Sequence, residues 1–229
     1  MHIERFLNDV ATSRSTATAA RVRTTLRGLF DYAVRLRVIR DSPAAAVRLP
    51  RPDSRTGEVV EFQPFTLGAL LEIVEAHRGR AGALGDITLA LGLTGVRFGE
   101  LRGLRVRDVT HDPYPALVVR RSLPTSGRTG AVILRSTTKG GRSRVVPLTD
   151  LIRPVVLARA TGKDPDDLLF PAPEGGFLHG PNWRRAVAWD TTRQGRRPHD
   201  LRHTATSLWI SAGVDITTVS SWWGTARPS

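Results

Sequence analysis

From Thr16 to Ile39, apolar side chains recur at helical spacing. Val22, Leu26, Leu29, Ala33 and Leu36 follow an i, i+4, i+7 rhythm, which predicts one helix with a single buried stripe. Asp41-Ser42-Pro43 stops it, and the proline-bearing, polar run from Leu49 to Glu58 predicts a linker. Beyond the linker, Thr66 is placed to cap a helix through about His77. A second helix runs from about Leu84 to Thr94, Gly95 interrupts it, and a short helix follows from about Phe98 to Leu104. The period then falls to two. Ala116-Leu-Val-Val-Arg, Ala131-Val-Ile-Leu-Arg and Arg144-Val-Val-Pro-Leu are short strand candidates, with Gly140-Gly141 as a tight turn between the last two. Helical spacing returns over Leu151 to Ala160, Asn182 to Ala188 and Asp200 to Ala212, with Gly213 at the C′ position. Asp215 is placed to cap a last helix, Ile216 to Trp223. The pattern predicts an α+β chain, mostly helical, with a small antiparallel β-sheet. Residues 1–49 form a partial helical domain, 50–60 the linker and 61–229 the main domain.

Composition narrows the partners. The chain has 229 residues, 40% of them hydrophobic, enough to bury a core. Its formal net charge is +13, and of its 34 basic residues only Lys139 and Lys163 are lysine. The skew toward arginine also fits a GC-rich genome, but the sign of the field is unchanged. Acidic partners are favoured, nucleic acid first. With no cysteine, disulfides, Cys-ligated zinc and thiol catalysis are excluded. Met1 to Val10 is mixed polar without a leader-like apolar run, and no stretch approaches the ~18 apolar residues of a membrane span. The chain is therefore expected in the cytoplasm, associated with the nucleoid, with no membrane partner. Along the first helix, Arg21, Arg23, Arg27, Arg35 and Arg37 lie off the apolar stripe or on its borders. That face is either solvated or set against DNA phosphates; Arg23, Arg27 and Arg35 are the candidates for the second role.

The chemistry resides in three separated segments: Thr94-Gly-Val-Arg-Phe-Gly-Glu-Leu101, Thr138-Lys-Gly-Gly-Arg142 and His199-Asp-Leu-Arg-His203. Phosphoryl transfer builds charge on non-bridging oxygens, and planar guanidiniums hold such oxygens bidentately while staying protonated. Arg97 and Arg202 are the candidate clamp. Lys139, at a hairpin tip, could protonate a leaving oxygen as general acid. His199 sits three residues before Arg202, so one helical turn brings both toward one site, where its titration range suits proton transfer or a hydrogen bond to phosphate. Taken singly, each has a plainer reading: a surface arginine, a solvated turn lysine, a helix-capping His199, a core His203. No carboxylate or histidine cluster stands at metal-ligand spacing, so no metal and no cofactor are expected.

The order of these segments resembles the tyrosine recombinase (phage integrase) family. Thr-Gly-Val-Arg-Phe-Gly-Glu-Leu is similar to the family's first-arginine motif, which implies that role for Arg97 and a bracing role for Glu100. Thr-Lys-Gly-Gly-Arg-Ser-Arg-Val-Val-Pro-Leu is similar to its β-hairpin lysine segment, which implies general-acid Lys139; Arg142 and Arg144 in that segment are candidate DNA contacts. His-Asp-Leu-Arg-His resembles the histidine-arginine box, implying His199 and Arg202 with His203 in support. The resemblance spans about Glu61 to Gly224 and implies an integrase-like catalytic domain preceded by a partial helical core-binding domain. It also implies a mechanism. A tyrosine attacks the DNA phosphate, forms a 3′-phosphotyrosyl link and releases a 5′-hydroxyl, with no metal or high-energy cofactor.

The text departs from the family after Trp222. Gly224 matches the expected Leu-Gly-His, but Thr225 stands where a third basic or aromatic site residue belongs, and no nucleophilic tyrosine follows. Of the two tyrosines, Tyr32 lies in the first helix and Tyr114 in an Asp-Pro-Tyr-Pro turn, neither in the family's position. The expectation is a catalytically incomplete fragment, truncated at both ends by frameshift or decay and monomeric in solution, with double-stranded DNA as partner. A second reading keeps the cage in a non-catalytic DNA-binding regulator of an intact recombinase protomer. A third, a metal-dependent nuclease or phosphatase, would require magnesium-dependent cleavage abolished by a chelator.

Overall fold

A computed structural model of the chain describes residues 2–47, 62–123 and 143–224. The chain divides into two compact units, Met1–Glu61 and Phe62–Ser229. The first unit pairs two helices, α1 (His2–Ser13) and α2 (Thr16–Arg35). No helix was expected at the N-terminus, yet Ile3, Leu7, Val10 and Ala11 form its less exposed seam, spaced at helical intervals, with Leu7 fully buried. Ser15 caps α2, its hydroxyl accepting from the Thr18 N–H at 3.1 Å.

The expected stripe on α2 holds at Val22, Leu26 and Ala33 but not at Leu29 and Leu36. Leu29 and Leu36 are 59% and 57% exposed, whereas Ala19, Val22, Leu26, Phe30, Ala33 and Val34 face inward to differing degrees. The helix also stops at Arg35 rather than Ile39, and Arg37 takes a positive φ of 57°. The expected linker lies outside the described residues.

The second unit is built around α4 (Asp86–Thr94), whose residues Ile87 to Thr94 are all buried. A helix hydrophobic all round must be surrounded. It is packed by α3 (Leu67–Ala81) on one side and by α9 (Asp200–Ser211) on another. Thr66 caps α3 as expected, accepting from the Ala69 N–H at 3.2 Å. The helix runs on to Ala81 because Leu70, Ile73, Val74 and His77 keep one face in the core. Short α5 (Phe98–Leu101) follows α4, with its cap at Arg97.

Three strands then form an antiparallel sheet in the order β1-β2-β3: β1 (Val109–Thr110), β2 (Ala116–Val119) and β3 (Arg144–Pro147). Leu117 pairs with Val146, and Val119 with Arg144. β1, only two residues long, was not expected; the Ala131–Arg135 strand and the Gly140-Gly141 turn lie outside the described residues. Helices α6 (Arg153–Ala160), α7 (Gly180–Ala186) and α8 (Trp189–Thr192) lead to α9 and to α10 (Ile216–Trp223). Asp215 caps α10 by accepting from the Thr217 and Thr218 N–H groups, both at 2.9 Å. The mostly helical α+β architecture is thus as expected.

A buried histidine joins three of these helices. The His77 ring nitrogens pair with Thr88 Oγ1 at 2.8 Å and Thr192 Oγ1 at 2.7 Å, and the residue is 0% exposed. Burial pushes its pKa down to about 4. Its folded form is held neutral, whereas the unfolded chain takes up a proton near pH 6.5. The contribution is therefore complete above about pH 6.5 and is lost as the pH falls toward 4, by about 3 kcal/mol in all. Urea unfolding between pH 7 and 4 should record this loss, and His77→Gln should flatten the slope.

Candidate functional site

α4, β3 and the two last helices converge on one carboxylate. At the end of α4, Gly95 adopts a left-handed conformation with φ 60°. A Cβ there would lie 3.0 Å from Trp209 Cη2 and 3.2 Å from Ala205 Cβ, so α9 packs directly against the glycine. The turn delivers Arg97 to the cap of α5. Its backbone N–H donates to Glu100 Oε2 at 2.7 Å, and its guanidinium donates to Oε1 at 3.0 Å.

Glu100 is 1% exposed. Arg144, opening β3, donates from Nη1 to Glu100 Oε1 at 2.9 Å and from Nη2 to Oε2 at 2.7 Å. In the first turn of α9, Arg202 is 2% exposed and lies 3.9 Å from Glu100 Oε2. Its Nη1 donates to the Gly95 carbonyl and its Nη2 to the Trp223 carbonyl. The Trp223 ring covers the guanidinium with its centroid 3.8 Å away.

Three guanidiniums thus surround one carboxylate, leaving a surplus of two positive charges. Burial alone would raise the Glu100 pKa. The hydrogen bonds and charge of Arg144, then the Arg97 backbone N–H and charge, outweigh that and hold the carboxyl below its usual range. Arg202 moves the other way. Burial, then the charges of Arg97 and Arg144, push its pKa down to about 9, which leaves it protonated at neutral pH.

A cavity of about 460 Å³ opens beside this cluster. Arg97, His199 and Arg202 line it together with Leu91, Phe98, Trp183 and Pro198. His199 is solvent-exposed; burial of part of the ring, then the nearby His203 and Arg202, lower its pKa. His203 is half-buried, with the Phe62 ring 3.8 Å and the Trp223 ring 5.3 Å from its own. Burial lowers its pKa as well.

The structure therefore brings Arg97, His199 and Arg202 to one cavity wall with Glu100 behind them. His203 packs beside the cluster and does not line the cavity. Lys139 and Arg142 lie outside the described residues. Arg144, expected at a DNA contact, is buried and donates to Glu100 and to the Trp222 carbonyl at the end of α10; the reason is the strand's two-residue period, which puts it on the inward face with Val146. That alternation was the available signal. Trp222 and Trp223 close α10 where the last helix was expected to end. Trp222 packs edge-on against Trp209, centroids 5.2 Å apart, so the pair belongs to the packed end of α10. Arg23, Arg27 and Arg35 lie on α2 of the first unit; Arg27 and Arg35 are exposed and Arg23 half-buried. Tyr114, 45% exposed, sits between β1 and β2.

Comparison with known proteins shows the family and the fold. The model of the phage integrase family matches residues 65–228. A tyrosine recombinase of Pseudothermotoga lettingae is 26% identical over 228 residues, covering 96% of this chain and 71% of the relative. A tyrosine recombinase XerD of Proteus mirabilis is 28% identical over 219 residues, covering 88% of this chain and 62% of the relative. Among solved structures, the Tn1549 transposon integrase with circular intermediate DNA superposes with a TM-score of 0.74 at 16% identity, covering 98% of this chain and 77% of that one. A lambda integrase tetramer bound to a Holliday junction gives 0.69 at 17% identity, covering 98% and 63%. The chain belongs to the phage integrase family, the tyrosine recombinases.

Because Glu100 neutralises buried guanidiniums, Glu100→Gln should cost about 3 kcal/mol of unfolding free energy, measured by chemical denaturation at pH 7. A loss under about 0.5 kcal/mol, the level of an ordinary surface change, would mean that the arginines do not depend on this carboxylate.

Proposed function

We propose that this chain carries the phosphate-clamping half of tyrosine-recombinase chemistry on duplex DNA. The observation that supports it is the surplus of two positive charges around Glu100, facing an open cavity that His199 also lines. In this reading Arg97 and Arg202 hold the non-bridging oxygens of the scissile phosphate. Arg202 has five N–H donors and gives one each to the Gly95 and Trp223 carbonyls, so donors remain for an anion. His199 supplies a further hydrogen bond, and Glu100 fixes the spacing of the clamp. Lys139 is assigned the proton delivered to the leaving 5′-oxygen.

The attacking group in this chemistry is a tyrosine hydroxyl. Its oxygen forms the bond to phosphorus as the phosphorus–5′-oxygen bond breaks. Tyr114, between β1 and β2 of the second unit, does not line the cavity. The assignment made for these 229 residues is binding without covalent capture.

We assign residues 1–49 to a helical DNA-binding element. The α2 arginines suit it. Arg27 makes a loose ion pair to Asp31 at 3.9 Å, with both side chains about half exposed, and Arg35 lies over the Tyr32 ring at 5.7 Å. The DNA-bound integrases among the structural relatives favour the same partner.

Two measurements test the proposal. With a nicked duplex, denaturing gels should reveal no protein–DNA adduct from this polypeptide; a stable adduct would overturn the assignment of binding without capture. In titrations, Arg202→Ala should weaken duplex binding by about 1–3 kcal/mol, the range of a charge-assisted hydrogen bond. Arg27→Gln and Arg35→Gln should each reduce the salt slope of binding by about one. Unchanged affinity in Arg202→Ala would remove the clamp.

A further inference from the structure

Arg144 has a second, unassigned part in the site. Its side chain is 7% exposed, and every nitrogen of its guanidinium has an acceptor inside the protein. Nη1 and Nη2 grip the two Glu100 oxygens side-on, and Nε donates to the Trp222 carbonyl at 2.6 Å. Its stem lies against the point where the chain leaves α10. Gly224 has φ 78° there, and a Cβ on it would lie 3.2 Å from Arg144 Cδ. One side chain therefore joins β3, α5 and the carbonyl end of α10.

Glu100 Oε1 is shared: it accepts from Arg144 Nη1 at 2.9 Å and from Arg97 Nη1 at 3.0 Å. Oε2 accepts from Arg144 Nη2 and faces Arg202 at 3.9 Å. The planar fork of Arg144, with the Arg97 backbone N–H on Oε2 at 2.7 Å, fixes the rotation of the carboxylate; the carboxylate in turn holds the Arg97 guanidinium, and α10, held by Arg144 Nε, carries the Trp223 carbonyl that Arg202 donates to. Lysine has the charge but not the fork. Arg144 is absent from the cavity lining, so it has no direct route to a phosphate held there.

We propose that Arg144 is a positioning residue of the clamp, acting on Arg97 and Arg202 through Glu100 and the end of α10 rather than by touching DNA. This rests on the clamp reading given above. The test is a coupling measurement on the full 229-residue chain, by fluorescence anisotropy with a labelled duplex at fixed salt, below the melting temperature of every variant. Arg97→Met should lower affinity about ten-fold in the native background, as loss of a charge-assisted hydrogen bond does. In an Arg144→Met background the same change should cost less than about two-fold, because Arg97 has already lost its place. Arg144→Lys should behave like Arg144→Met.

A full ten-fold effect of Arg97→Met persisting in the Arg144→Met background would overturn the proposal, as would recovery of native affinity in Arg144→Lys. Should Arg144→Met fail to fold, the Glu100→Gln/Arg144→Met pair removes the buried charge together with its partner and serves as the background; the same loss of coupling is expected, and a persistent ten-fold effect overturns. Unchanged affinity in both Arg97→Met and Arg202→Met would instead overturn the clamp reading itself.

Discussion

The second unit is organised by the pairing of one buried carboxylate with more than its share of positive charge. An isolated ionised carboxylate cannot be kept inside a protein, and neither can a guanidinium. Glu100 and its arginines are mutually necessary: Arg144 neutralises the carboxylate, and the carboxylate makes the burial of Arg202 tolerable. The remaining imbalance has a direction. It faces the cavity beside Arg97 and His199, so the cheapest way to complete the charge balance is to admit an anion from outside.

Helix packing provides the platform. α4 is apolar on every side and so has to be enclosed by α3 and α9, which fixes Arg97 and Arg202 at once. Arg97 follows the glycine that terminates α4, and Arg202 lies in the first turn of the helix packed against that glycine. Side chains more than a hundred residues apart in sequence are thereby held on a common rigid support.

Much of this was legible in the sequence where a local rule dominates. Thr66 and Asp215 announce helix starts, Gly95 and Gly213 announce ends, and two of the three motifs carry Arg97, Glu100, His199 and Arg202, which the fold brings together. What escaped depends on choices that local rules leave open. Leu29 and Phe30 are adjacent and both apolar, and only packing decides which faces inward; Val22, Leu26 and Ala33 face inward as the pattern has them, while Phe30 takes the place expected of Leu29 and Leu36 falls past the helix end. α1 carries a seam of only a few apolar positions within a polar text. Arg144 combines a charged side chain with an inward strand position, and charge alone suggested the surface. Its acceptor, Glu100, lies 44 residues away in sequence, beyond the reach of any periodicity.

The acceptors at the end of α10 have a different character from the rest of the site. Arg144 and Arg202 are oriented there by two consecutive main-chain carbonyls, those of Trp222 and Trp223. A carbonyl belongs to every residue, so these two contacts impose almost no demand on which amino acid occupies either position. The side chains carry separate demands, the Trp223 ring lying over Arg202 and Trp222 packing on Trp209, but the aim given by the carbonyls needs only that the helix end in the same place. What selection must preserve at this point is a length and a direction of chain, a kind of constraint that leaves little trace in the letters of the sequence.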